Sequence, residues 1–386
     1  MRIIPYGKHS ISEDDIQAVV NVLRTDWLTQ GPMVERFERA IADYCGTRYA
    51  VAVANGTAAL HLSALAAGFG PGDEIITTPI TFVASANCIA YTSAKPVFSD
   101  IDPYTYCIDP EKVDSSITPS TRGLIPVHFT GQPCDMATLN TLACQHDLVV
   151  IEDAAHALGA SYKIGNKTYR IGSCAHSDMT IFSFHPVKHI TTGEGGMITT
   201  NSKELYKKLI TLRTHGITRN PEILTNNEGP WYYEQQMLGF NYRISDIQCA
   251  LGISQLQRLD EFIARRKEIS EKYNKAFQAL PELILPEVKK GVRSSWHLYV
   301  LGFKNLDRKT VFQSLKSKGI SVNVHYIPVH LQPYYKEKYG YRKGEYPQAE
   351  KYYERSLTLP LFPGLSDTDV HFVITSVKDT ISELSR

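Results

Sequence analysis

Directly after Ser12, apolar side chains recur at helical spacing, at Ile16, Val19, Val20 and Leu23, so the chain opens on an amphipathic helix with a serine cap. A second helix is expected around Val34, Phe37 and Ile41. The period then shortens: an apolar run over 49–54 predicts a strand, and Asn55-Gly56-Thr57-Ala58 opens a helix of small residues through Leu60, Leu62 and Leu65. Short strands are expected at 74–78, 96–100, 123–129, 148–153, 179–184 and 196–200, and helices at 81–90, 136–146 and 203–213 alternate with them. Strands that alternate with helices pack as a parallel sheet covered on both faces. Residues 1–250 are therefore expected to form an α/β domain around a mostly parallel, seven-stranded sheet.

From 244 to 280 the pattern stays helical with Gly252 as its interruption, long enough at ~1.5 Å per residue to bridge two domains. Residues 251–386 are expected to form a smaller α+β domain. It holds a strand at 296–302, a helix at 309–318, a strand at 320–326 and a last helix from Asp367, with Val370, Ile374, Val377 and Ile381 on one face. The segments 220–238 and 328–348, rich in Pro, Gly and Tyr, are expected as loops of the kind that shape pockets.

A chain of 386 residues with 43% hydrophobic side chains can fill two cores. Its net charge of +1 offers no global field for nucleic acid or an anionic membrane. No apolar run reaches the roughly 18 residues of a membrane span, and Met1-Arg2-Ile3-Ile4-Pro5 lacks the apolar stretch of a signal peptide, so a cytoplasmic protein is expected. Seven cysteines without a Cys-x-x-Cys pair suit reduced thiols. His185 and His189, with Cys174 and His176, could be grouped as a metal set, but Pro186 would break a helix carrying the pair, and no metal is expected.

Two strand ends carry the chemistry. The run 148–153 finishes on Glu152-Asp153, and 183–188 delivers Lys188 towards Gly193-Glu194-Gly195-Gly196. A lysine amine can condense with an aldehyde, and an acid at a strand's carboxyl end can keep a pyridine nitrogen protonated, which together suit pyridoxal phosphate. The plain alternatives are a solvated lysine and an aspartate that caps a helix. Ala154, Ala155 and Ala157 would let a flat ring approach the backbone. Gly56, Thr57 and Ala58 at a helix start offer amides, a hydroxyl and the positive end of a dipole to a phosphate, with the Ser183 hydroxyl nearby. Phe82, just past a strand end, could stack on the ring or pack in the core. Glu152 alternates to the other face of its strand and is expected to be structural.

These residues give the chain a resemblance, over nearly its whole length, to the sugar aminotransferase family that includes the streptomycin, erythromycin and lipid A aminosugar enzymes. The motifs are Trp27-Leu28-Thr29-Gln30-Gly31-Pro32, Asn55-Gly56-Thr57-Ala58-Ala59-Leu60, Glu152-Asp153-Ala154-Ala155, Ser183-Phe184 with Lys188, Gly193-Glu194-Gly195-Gly196, and Gly239-Phe240-Asn241-Tyr242-Arg243 through Asp246-Ile247-Gln248. The resemblance implies the fold-type I architecture of aspartate aminotransferases and a homodimer whose sites are shared across the interface. Asn241 would reach the phosphate of the neighbouring subunit's cofactor, with Arg243 beside it. Within the family the chain is most similar to the branch serving the pseudaminic-acid pathway, which also carries a histidine where His156 stands in the cofactor site and many relatives have glutamine. That likeness implies transfer of an amino group from glutamate to the 4-keto group of a UDP-linked 4-keto-6-deoxy-N-acetylhexosamine. It also implies a nucleotide-sugar pocket lined by Tyr6, Asp26, Trp27, Leu28, Thr29, Arg243, His325 and Tyr326. The alternatives are C3 or C4 amination of another UDP- or dTDP-linked keto-deoxysugar, a sugar dehydratase, against which Lys188 argues because such relatives carry histidine there, and a catalytically silent binder.

Overall fold

The computed structural model describes residues 3–385. Seven strands, β1 (Tyr49–Val53), β2 (Glu74–Thr77), β3 (Lys95–Phe98), β4 (Thr121–Ile125), β5 (Val149–Asp153), β6 (Met179–Ser183) and β7 (Gly196–Thr200), form one sheet in the order β1-β7-β6-β5-β4-β2-β3. Pairing is parallel from β6 across to β3, and β7 alone runs against both of its neighbours. Helices cover both faces, which is why the strands are apolar on alternate and adjacent positions alike. Val51, Ile75, Ile125, Ile151 and Ile181 belong to one buried cluster, and Ala52, Ile76, Leu124, Val150 and Phe182 to the other. The expected α/β class and wide sheet are what the chain forms.

This topology brings the carboxyl ends of β1, β2, β5 and β6 to one edge of the sheet, the side on which open α/β sheets bind ligands. Asp153 is the last residue of β5 and Ser183 the last of β6, while Gly56 begins the helix Gly56–Ala66 just past β1.

Beyond the sheet, Leu283–Ile284, Tyr299–Phe303 and Ser356–Leu359 make a three-stranded antiparallel sheet. Its core is shared with Ile269, Tyr273 and Phe277 of helix Leu259–Phe277, with Val370, Val373, Val377 and Ile381 of helix Asp367–Leu384, and with Ile4 from the start of the chain.

Three expectations are corrected and one element was missed. The segment 320–326 is no strand: it meets Ile4 at Ile320 and Thr358 at Asn323 as isolated bridges, so no run of partners exists to extend it. The loop expected at 328–348 holds the short turn Val329–Leu331 and helix Pro333–Tyr339, started by a proline at its first position, and Tyr335, Tyr341 and Tyr346 are spent on packing around Phe98. The hairpin Ser161–Ile164 with Lys167–Arg170 goes unread in the sequence because its strands are short and mostly polar. The single helix expected over 244–280 is two, Asp246–Gln257 and Leu259–Phe277, broken at Arg258 (φ −103°, ψ 4°).

Next to the break, a buried carboxylate gathers side chains from the preceding helix and from Arg258. Asp15, fully buried, accepts hydrogen bonds from Ser254 Oγ (2.6 Å), Gln255 Nε2 (2.6 Å), Arg258 Nη2 (2.5 Å) and its own cap's Ser12 N–H (2.8 Å). Burial pushes the Asp15 carboxyl up, but the bonds from Ser254, Ser12 and Gln255 and the charge of Arg258 outweigh it and hold the group below its ordinary value. A carboxyl so lowered stabilises the fold above its unfolded pKa, and the contribution is lost as pH falls through the folded value. Asp15→Ala is expected to cost about 3 kcal/mol in urea unfolding at neutral pH, with the difference from the native protein shrinking below about pH 4; equal stability at neutral pH would contradict this role.

Candidate active site

At the carboxyl edge of the sheet lies a cavity of about 540 Å³ whose walls include Asp153, Ser183 and Lys188 together with Tyr6, Gly56, Thr57, Phe82, His156, His297, His325 and Tyr326. Another cavity, of about 590 Å³, lies against Ile4 and Phe362 and contains neither Asp153 nor Lys188.

Strand alternation turns neighbouring acids to opposite sides of β5. Glu152 faces inward to His128 Nε2 (2.6 Å), Thr180 Oγ1 (2.9 Å) and the Ser177 hydroxyl. Asp153, 4% exposed, faces the cavity. Its Oδ2 accepts from Ser85 Oγ at 2.6 Å and its Oδ1 from the Ala155 N–H at 3.1 Å, and Ser85 Oγ is itself 2.7 Å from Thr81 Oγ1. Ser85 and Thr81 were not singled out by sequence. Their signal was available as two hydroxyls four apart where a helix of small residues begins.

Lys188 follows β6 in an irregular loop and lines the cavity. Burial and the Arg266 charge lower its amine to about 8, against the opposing pull of Asp153. The histidines around it stay neutral. Burial, then the Lys188 charge, depress His156; burial depresses His297 likewise, followed by His156 and Lys188, and burial with Lys188 takes His325 down to about 3. His156 Nε2 lies 3.2 Å from the Tyr326 hydroxyl, its Nδ1 is buried without a partner, and its ring centroid is 4.4 Å from that of His297, a residue the sequence did not mark. His325 Nδ1 is 2.8 Å from Thr358 Oγ1, and its ring lies 5.4 Å from that of Tyr6.

The opposite wall is built by close backbone approach. Asn55 caps helix Gly56–Ala66 by accepting from the Ala58 N–H at 2.8 Å, so that amide is committed within the cap, and Ala58 is buried. This corrects the expectation for Ala58. The Gly56 and Thr57 amides begin the helix beside the cavity, and a Cβ on Gly56 would come within 2.9 Å of Ser183 Cβ. A Cβ on Gly196, which pairs with Ser183 across the sheet, would come within 2.3 Å of the Asn55 carbonyl oxygen.

Six predicted site residues lie elsewhere on the single chain. Asp26, Trp27, Leu28 and Thr29 are exposed, Trp27 by 56%. They are held away from the cavity because Asp246 Oδ2 accepts from the Gly31 N–H at 2.7 Å, Oδ1 from the Met33 N–H at 2.9 Å, and Thr29 bridges Ser245. Asn241 is exposed and bridges Thr214, and Arg243 lines a separate cavity of about 340 Å³. His185 is exposed, while His189 bonds the Ser295 carbonyl, His176 the Tyr162 hydroxyl and Cys174 the Thr199 carbonyl, so these four form no metal set.

A planar, anionic aldehyde suits what is present: a fixed carboxylate, a depressed amine, a glycine-lined helix start next to a hydroxyl, and a buried ring nitrogen on His156 without a partner. A model of the DegT/DnrJ/EryC1/StrS aminotransferase family matches residues 9–378. The spore coat polysaccharide biosynthesis protein SpsC of Bacillus subtilis is 44% identical over 383 residues, 98% of this chain and 97% of its own. Spr1654 from Streptococcus pneumoniae, named as a sugar aminotransferase and solved in its PMP form, is 33% identical with a TM-score of 0.91, over 99% of this chain and 100% of that one. Helicobacter pylori PseC, an aminotransferase involved in the biosynthesis of pseudoaminic acid, is 29% identical with a TM-score of 0.88, over 99% and 100%. The chain belongs to the DegT/DnrJ/EryC1/StrS family and is a pyridoxal phosphate-dependent sugar aminotransferase.

Proposed function

We propose that the protein moves an amino group from glutamate to the 4-keto group of a UDP-linked 4-keto-6-deoxy-N-acetylhexosamine, the reaction of the pseudaminic-acid branch. The observation that carries the chemistry is a lysine amine lowered to about 8 in the same cavity as a buried, hydrogen-bonded aspartate. Support for the substrate comes from the likeness to PseC and from His156 at the cavity wall.

Bound here, pyridoxal phosphate supplies an aldehyde carbon that carries the amino group and a ring that withdraws electrons from the bond being broken. Lys188 would hold the cofactor through its amine and, as a free amine, would move a proton at the α-carbon of the donor and later at the sugar carbon. Asp153, fixed by Ser85 and the Ala155 N–H, keeps the ring nitrogen protonated. The Gly56 and Thr57 amides and the Ser183 hydroxyl would hold its phosphate, and Phe82 and His156 would hold its ring. Neutral histidines leave the lysine as the base near pH 8. Tyr6, His325 and Tyr326 face the sugar.

The division near residue 250 belongs to the same proposal, since the cavity takes Asp153 and Lys188 from one unit and His297, His325 and Tyr326 from the other. So does a homodimer. Asp26, Trp27, Leu28, Thr29, Asn241 and Arg243 would then serve the neighbouring subunit's site, which suits a tryptophan left 56% exposed. No described helix is long and apolar enough to cross a membrane, and the cytoplasm is the proposed location.

Lys188→Ala should abolish turnover and the visible absorbance of the cofactor-loaded protein; retained turnover would refute the lysine's role. Ser85→Ala should weaken cofactor binding about tenfold through loss of one hydrogen bond to a charged group, measured by titration of the apoprotein, and unchanged affinity would remove Ser85 from the site. Incubation with glutamate and a panel of UDP- and dTDP-linked 3-keto and 4-keto sugars, with products located by NMR, should favour the UDP-linked 4-keto N-acetyl sugar. A preference for dTDP or for C3 would overturn the substrate and leave the aminotransferase intact.

A further inference from the structure

Arg266, in helix Leu259–Phe277, is 1% exposed. Its Nη1 donates to the carbonyls of Leu361 (2.8 Å), His297 (3.1 Å) and Trp296 (3.4 Å), and its Nε is buried without a partner. Arg265 beside it pairs with Glu268 and Asp367, whereas among the described residues no carboxylate pairs with Arg266. Carbonyls satisfy N–H groups but leave the net charge in place. A buried cation without an acid is costly and is often replaceable by an apolar side chain without loss, so packing alone does not account for it.

Its position does. Arg266 clamps the backbone of His297, whose side chain lines the cavity with Lys188, and the His297 ring is 5.4 Å from that of His189, next to the lysine in sequence. We propose that Arg266 tunes the lysine: its uncompensated charge, caged by carbonyls behind His297, opposes a second positive charge on Lys188 and so raises the fraction of free amine at neutral pH. Every other group facing Lys188 is neutral, negative or at the rim. Asp153 comes from β5 and His156 from the turn after it, His185 and Glu194 from the lysine's own loop, Tyr6 from the N-terminal segment, and His297, His325 and Tyr326 from the C-terminal half, with His189 beside the lysine. The exposed Lys8 and His9 line a small cavity that Lys188 and His189 also line. Asp153 pulls the other way, Arg266 and burial lower the amine, and Arg266 also depresses His189 and His297 after burial has done so.

This inference rests on Lys188 being the cofactor-binding amine, and one experiment separates the two. In the apoprotein, the rate at which trinitrobenzenesulfonate labels Lys188 is followed against pH by peptide mass spectrometry, and covalent cofactor attachment is scored in parallel. The native midpoint should lie near 8. Arg266→Gln, which keeps an N–H donor for Leu361 but no charge, should leave about tenfold less free amine at neutral pH, a shift of about one pH unit, while Arg266→Lys should keep the native midpoint. If the Gln variant does not fold, Arg266→Met is read the same way. An unshifted midpoint in a folded neutral variant overturns the tuning role, as does a native midpoint at the ordinary lysine value of about 10.4. Loss of covalent attachment in the native protein would instead overturn the reading of Lys188.

Discussion

Lowering one lysine amine to about 8 is the constraint on which the rest of this site turns. Burying an ammonium is expensive, and the medium that makes it so also makes the amine reactive near neutral pH. Four histidines, His156, His189, His297 and His325, lie around it, and burial depresses each of them. Asp153 is the opposing influence, and Ser85 and the Ala155 N–H occupy a lone pair on each of its oxygens.

The fold meets this constraint with little specialised structure. A mostly parallel sheet brings strand ends to one edge, and alternation along β5 sends Glu152 into a structural network while Asp153 faces the cavity. Absent side chains matter as much. Where β7 passes Asn55 and where helix Gly56–Ala66 starts beside Ser183, a Cβ would collide, so glycines at 196 and 56 let these backbone segments come together.

Much of this was legible in the sequence because it is local. The seven strands follow from short apolar runs, and Asp153 and Lys188 stand out because each closes or follows such a run. What was not legible depends on contacts between distant segments. Ser85 matters through an aspartate 68 residues away, and Arg266 through the carbonyls of Trp296, His297 and Leu361, which no periodicity announces. Arg258, at the break, is held by Asp15, near the start of the chain. The segment 320–326 has a strand's composition but lacks partners, and Trp27 and Asn241 carry family motifs yet lie outside the cavity of their own chain.

On this reading, the amine at position 188 is the cofactor's attachment point. Reducing the pyridoxal phosphate-loaded protein with borohydride and mapping the modified peptide tests it most directly. The predicted result is a single pyridoxyl group on Lys188, with none when that residue is alanine; a label on another lysine, with Lys188 unmodified, would contradict it.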